Sequence, residues 1–348
     1  MMYRGLFHVH HHIIPIFDKN NKKLKKNIKK YFNFLKEKNI RIVDFTWHSH
    51  LFCLNPKLKE SEISYFKLNL SPLEIFKIIK KEAKNFDIIV IPTLEVTCLI
   101  KTEKGGKEAH ILVMHEDENL LYGSELMYKR YFPFENFFHE APQGSLIVLA
   151  HPWRFGCGMT YFLGTTKTNE IIKNYHPLIE NNGWIYPWYY ALESIFARLP
   201  FLKKIKSFKN FYDLTKKNFE LSGLENYVRF YGMDTHAPHL LPGNTGFIEM
   251  EMEENSSIEK ILNTLREGKL TPSIPQKIGF WESMLWMIYD LLISVKDEII
   301  LEYMIKHKFG LKHEFTRPNS KDSEEKEKFT AVLINKDIVK EDLKTKIK

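Results

Sequence analysis

The chain has 348 residues, of which 44% are hydrophobic and 14% aromatic, and a formal net charge of +8. The apolar fraction excludes a globally disordered chain, and the length suits one large domain with an appendage or two modest domains. Three cysteines are too few for a disulfide framework, and the first residues lack the apolar stretch of a signal peptide. We therefore expect a cytoplasmic protein. The positive charge favours anionic partners, although lysines scattered between acids also fit a solvated basic surface.

Short apolar strands alternate with helix-like stretches along most of the chain. The first connecting stretch, KNIKKYFNFLKEKN, has the periodicity of an amphipathic helix, with Ile28, Tyr31, Phe32 and Leu35 facing inward. This alternation favours a parallel sheet, and seven such strands could close into a barrel with its chemistry at the carboxyl ends of the strands. The predicted strands are 4–10, 40–46, 87–96, 109–114, 145–150, 187–193 and 228–233.

The predicted barrel occupies residues 1–275, and its long connections within 156–225 are typical of lids or specificity loops. An apolar helical extension follows at 276–313, and a charged, flexible tail at 314–348. Charged residues interrupt the apolar helix at 280–306, so we expect no transmembrane segment. That helix is expected to pack on the barrel or to join two copies in a homodimer, and an interfacial membrane helix is the alternative.

Metal-ligand side chains recur at or near the ends of the predicted strands. Imidazole and carboxylate ligands with almost no thiolate favour zinc, manganese or iron over a structural cysteine-bound zinc. His8 and His10 are one residue apart on a predicted strand, where alternate side chains share a face. Asp234 and His236 repeat this spacing at the last strand, which would neighbour the first in a closed barrel. The sequence therefore predicts a metal site at one mouth of the barrel.

Six short motifs in a fixed order give the chain a family resemblance. They are HVH, then DFTWHSH, then PTLEVT, then HIL, then AHP and finally DTH. From about Tyr3 to Pro275 this order resembles the PHP (polymerase and histidinol phosphatase) superfamily. The resemblance implies an α/β fold, a distorted seven-stranded (β/α)7 barrel, here followed by the C-terminal helical extension. It also implies up to three bound metal ions and hydrolysis of phosphoesters.

The resemblance also implies a set of metal ligands. One ion would be held by His8, His10 and Asp234; a second by Glu95, as a bridge, with His110 and His151; a third by His236, His48 and Asp18, for which His11 or His12 are alternatives. The family usually places that last ligand where this chain has Pro15 and Ile16. Leu6 and Trp47 stand where the family often has carboxylates, which would leave some ligands without a supporting partner.

The implied function is a metal-dependent phosphoesterase (EC 3.1 type) with two to three divalent ions, Zn, Mn or Fe. A hydroxide held between the ions would attack a phosphomonoester or a nucleotide or oligonucleotide phosphoester, with Glu95, Asp234 and His236 as the catalytic residues. The substrate would be a phosphorylated small molecule or nucleotide, and nucleic acid is a further possible partner. Arg154 and Arg198 are candidate phosphate clamps. An exposed ion pair is an equal alternative for Arg154 and the favoured one for Arg198.

The same sequence features fit two other functions. A metal-dependent amide or lactone hydrolase would use the same activated water. A basic, nucleic-acid-associated module would bind DNA or RNA with an affinity that falls steeply with salt.

Overall fold

A computed structural model provides the structure of the protein. It describes residues 1–10, 21–49, 72–102, 105–128, 132–152, 158–182, 185–206, 209–210, 212–213, 216, 229–232, 234, 247–254, 256–272, 281 and 288. The predicted extension at 276–313 and tail at 314–348, with the homodimer helix at 280–306, therefore lie almost wholly outside the described residues. None of the helices within the described residues combines the length and apolarity needed to cross a bilayer.

The described strands form one mixed sheet. Their bounds are β1 Met2–Leu6, β2 Ile40–His48, β3 Ile89–Thr102, β4 Gly105–Met114, β5 Phe132–Pro133, β6 Leu146–Leu149, β7 Leu178–Asn182, β8 Arg229–Gly232, β9 Ile248–Glu251 and β10 Thr271–Pro272. The order across the sheet is β10-β9-β1-β2-β3-β4-β6-β7-β8, with β5 beside β3. Strand β8 lies at one end of this order. Its Phe230 packs edge-on against Phe7, which follows β1, with ring centroids 5.2 Å apart. The sheet is therefore barrel-like and nearly closed.

The prediction of a parallel sheet is only partly correct. The pairs β1–β2, β2–β3, β6–β7 and β7–β8 are parallel, but β4 runs antiparallel to both β3 and β6. The ladder between β3 and β4 extends to the pair Thr102 and Gly105. A connection that short cannot make the crossover that parallel neighbours need, so the two strands must form a hairpin.

Helices cover parts of the sheet. Their bounds are α1 Asn21–Glu37, α2 Pro72–Ala83, α3 Glu118–Tyr122, α4 Glu125–Tyr128, α5 Phe134–Glu140, α6 Met159–Tyr175, α7 Ile185–Arg198 and α8 Ile258–Arg266. The predicted inward face of α1 is confirmed, because Ile28, Tyr31, Phe32 and Leu35 are all buried. The rings of Tyr31 and Phe32 both pack edge-on against Phe45 of β2. This packing fixes the strand that carries His48.

The strand predicted at 187–193 is wrong, because these residues lie inside helix α7. Tyr189, Leu192 and Phe196 are buried at helical spacing, so one apolar face explains the segment. The strand that pairs with β8 is instead β7, Leu178–Asn182, nine residues earlier at its start. This shift places the sequence LIENN in the sheet.

Candidate metal centre

Strand register brings three of the predicted ligands together on one face of the sheet. His48 of β2 is the parallel partner of Glu95 in β3, and His110 of β4 is the antiparallel partner of Thr97. Because Glu95 and Thr97 are two residues apart on a strand, they share a face. Residues opposite them across the ladder share that face too. His48, Glu95 and His110 therefore project into the same space.

Five imidazoles surround the buried carboxylate of Glu95, which is 1% exposed. Its Oε2 lies 2.7 Å from His48 Nδ1 and 3.4 Å from His10 Nε2. Its Oε1 lies 2.7 Å from His110 Nδ1, 3.3 Å from His151 Nε2 and 3.7 Å from His8 Nε2. The two oxygens thus face two different sets of nitrogen atoms.

Asp234, two residues beyond the end of β8, supplies a second buried carboxylate. Its Oδ1 lies 3.0 Å from His10 Nε2 and 3.5 Å from His8 Nε2. The rings of His8 and His10 lie next to each other, with centroids 4.9 Å apart. Asp234 reaches these two histidines because the nearly closed sheet brings the end of β8 beside the end of β1.

The two histidines of HVH converge for a different reason from the one predicted. The first strand ends at Leu6, and His8 has a left-handed backbone with φ of 56°. His10 returns to the sheet through a single parallel bridge to Thr46. Strand alternation therefore does not apply across HVH, and a turn at His8 directs both rings to the site.

Three overlapping groups of ligand residues result. Within each group, the ligand atoms all lie within 4.8 Å of one another. The groups are His8, His10 and Asp234; His10, His48 and Glu95; and Glu95, His110 and His151. The donors are all imidazole nitrogens and carboxylate oxygens, the set that zinc, manganese and iron accept. Buried charges of this density are costly unless paired or coordinated. Both features fit bound divalent cations.

The electrostatics of the centre favour its charged forms. Burial would raise the pKa of Glu95, but the adjacent His48 and His110 outweigh that effect and hold this pKa well below the usual range. Burial would lower the pKa of His8, but the charges of Glu180 and Asp234 outweigh it and raise this pKa well above its ordinary value. Each shift follows from the close packing of carboxylates against imidazoles at this centre.

Two buried acids that sequence reasoning missed support the first histidine. Asp44 Oδ2 accepts a hydrogen bond from the His8 amide at 2.9 Å, and Asp44 Oδ1 accepts one from the Val9 amide at 3.0 Å. Burial raises the pKa of Asp44 to about 7, because the hydrogen bonds from the two amides offset only part of the effect of burial. Glu180 of β7 contacts the His8 ring at 2.6 Å. Leu6, which stands where the family often has a carboxylate, is a buried core residue, and Asp44 and Glu180 contact His8 from elsewhere in the sheet.

The remaining predicted site residues fall outside this cluster or outside the described residues. His236, Asp18, His11, His12 and Arg154 lie outside the described residues. Arg198 is the last residue of α7 and is exposed. The structure therefore brings together His8, His10, His48, Glu95, His110, His151 and Asp234.

Comparison with known proteins adds little to this geometry. No protein-family model and no curated protein matches the sequence. Among solved structures, the chain is similar to a two-domain protein from Bacteroides vulgatus ATCC 8482 that contains a predicted PHP-like metal-dependent phosphoesterase. The TM-score is 0.42 and the identity 13%, over 78% of this chain and 64% of that one. This chain thus spans less than two thirds of that protein's length.

Proposed function

We propose that the chain is a metal-dependent hydrolase of phosphoesters that holds two or three divalent ions. The observation that carries this proposal is the arrangement around Glu95. Two of the three ligand groups share this one carboxylate, and the third group shares His10 with one of those two. Overlapping groups of nitrogen and oxygen ligands are what a polynuclear centre needs.

Each group would hold one ion. His8, His10 and Asp234 would bind the first, and His110, His151 and Glu95 the second. For a third ion, the described residues place His48 with His10 and Glu95. Asp18 and His236, which the resemblance implies as further ligands, lie outside the described residues. Paired divalent ions supply activated water at neutral pH and charge neutralisation at a phosphoryl group. The protein's part is to fix the ligands in a largely dry pocket, since most of them are buried.

A phosphoester is the preferred substrate class for two reasons. The motif order resembles a superfamily of phosphoesterases, and the net charge of +8 attracts anionic substrates. His236 would give a proton to the leaving group, while Arg154 would contact the phosphate. Phosphorylated small molecules and nucleotides are the first substrates to examine.

The test uses the full chain, stripped with chelator and reloaded with manganese. Aryl phosphate monoesters and diesters, an aryl ester and an aryl amide are compared as substrates. We expect metal-dependent turnover of a phosphate that is lost in Glu95→Gln and kept in Glu259→Gln, a control at an exposed position on α8. Turnover of the carboxylic ester or amide alone would favour an amide or lactone hydrolase. No turnover of any phosphate by the metal-loaded chain would contradict the proposal.

A further inference from the structure

Glu180 belongs to none of the three ligand groups but contacts two of the proposed metal ligands, His8 and His151. It lies in the middle of β7, and its side chain is fully buried. Its Oε1 is 2.6 Å from His8 Nδ1, and its Oε2 accepts a hydrogen bond from the His151 amide at 2.6 Å. Each carboxylate oxygen therefore faces a nitrogen of a different ligand residue.

The contact with His8 determines which ring nitrogen faces the centre. With Nδ1 against Glu180, the other nitrogen, Nε2, points towards Asp234 Oδ1 at 3.5 Å and Glu95 Oε1 at 3.7 Å. A carboxylate behind a ligating histidine sets the orientation and protonation of the ring and raises its basicity as a ligand. Glu180 occupies that position for His8.

Glu180 also holds two unusual backbone conformations. His8 and His151 have positive φ values of 56° and 29°. Such conformations are unfavourable in non-glycine residues and persist only where the surroundings hold them. One Glu180 oxygen is bonded to the ring of the first residue and the other to the amide of the second. The same side chain thus stabilises both turns that present a ligand.

The neighbouring strand leaves space for this carboxylate through a glycine. A β-carbon at Gly232 of β8 would overlap Glu180 Oε1 and would lie 2.9 Å from Glu180 Cδ and 2.9 Å from His8 Cβ. Real β-carbons do not approach other atoms so closely. Gly232 is two residues before Asp234, so the glycine lies beside the point where β7, β8 and the His8 turn meet.

We propose that Glu180 is the positioning residue of the metal centre and that Gly232 provides the space that it needs. Glu180 orients the His8 ring and the His151 turn and does not itself bind an ion. This inference deepens the proposed function, since it assumes that His8 and His151 are metal ligands.

The test measures manganese affinity by titration calorimetry for the full chain and three variants. Glu180→Gln keeps the size of the side chain but loses one of its two acceptor oxygens, and Gly232→Ala keeps Glu180 but displaces it. We expect both to bind manganese about 10–100-fold more weakly than the wild type. Glu259→Gln should bind as the wild type does. Wild-type affinity in both Glu180→Gln and Gly232→Ala would overturn the inference.

A second measurement on the metal-free chain separates this inference from the proposed function. In chains with ¹⁵N-labelled histidine, we expect a downfield, slowly exchanging proton on His8 Nδ1, assigned by its loss in His8→Asn. It should shift or disappear in Glu180→Gln and Gly232→Ala. An identical signal in all three proteins would refute the role of Glu180, whether or not the chain hydrolyses phosphate. If the signal and the affinities behave as expected but no phosphoester is cleaved, only the proposed function fails.

Discussion

Replacement of Glu95 by glutamine should weaken metal binding and thereby remove most of the stabilisation that bound metal gives to the fold. Glu95 belongs to two of the three ligand groups, and five imidazole nitrogens lie within 3.7 Å of its oxygens. The substitution keeps the size of the side chain but removes its charge. Loss of a partner that only supports a metal ligand already weakens binding about 10–100-fold, so loss of a charged ligand should cost at least about 100-fold.

This loss of affinity converts into a measurable difference in stability. At a manganese concentration of about 100 times the wild-type Kd, bound metal stabilises the wild type by about 2.7 kcal/mol. At the same concentration, a variant with a Kd that is about 100-fold higher gains only about 0.4 kcal/mol. The gap of about 2.3 kcal/mol corresponds to roughly 4 °C in Tm for a domain of this size.

Thermal unfolding with manganese and with chelator measures this gap directly. The wild type and Glu259→Gln should show the same manganese-induced rise in Tm, and Glu95→Gln should show almost none. Each protein is compared with itself in chelator, so any effect of the substitution on the metal-free fold cancels. A rise in Glu95→Gln equal to that of the wild type would refute the central place of Glu95.

Three further predictions concern the scaffold. Asp44→Ala leaves two buried amide donors without their acceptor, so urea unfolding in chelator should show a free energy of unfolding lower by about 2–5 kcal/mol. A decrease below about 1 kcal/mol would contradict the role of Asp44 in holding the His8 turn. Phe32→Ala removes a fully buried ring that packs on Phe45 and should cost about 3–5 kcal/mol, while folded protein keeps its metal content. Asp117 caps α3 through the amides of Asn119 and Leu120, so Asp117→Ala should cost about 0.5–2 kcal/mol at neutral pH. Because the Asn119 amide lowers the pKa of Asp117, that difference should shrink as the pH falls below about 4, and an equal difference at all pH values would contradict it.

Sequence patterns predicted the parts of the fold that depend on local periodicity. The apolar face of α1 repeats at helical spacing, and its four inward residues are buried as expected. His48 ends β2, His151 follows the end of β6, and Glu95 comes after the apolar run IVIPTL inside β3; ligand side chains after apolar runs indicate the cluster around Glu95. Register then explains why His48 and His110 reach the same carboxylate.

The parts that sequence could not predict depend on contacts between distant segments. The segment at 187–193 is rich in aromatic residues, which favour a strand locally, but one buried helical face prevails. Because the strand is predicted at 187–193, Glu180 in LIENN falls within the connections predicted for 156–225. A charged residue inside an apolar strand, such as Asp44 in IRIVDFTWH, was the available signal for a buried acid with a structural partner. The turn at His8 follows from tertiary hydrogen bonds and has no local signal.

The number of metal ions bound per chain tests the central claim most directly. The full chain is loaded with manganese or zinc, freed of excess metal and measured by elemental analysis against protein concentration. Because three ligand groups overlap through Glu95 and His10, we expect at least two ions per chain in the wild type and fewer in Glu95→Gln. A wild-type chain that retains fewer than two ions under these conditions would contradict a polynuclear centre built on Glu95.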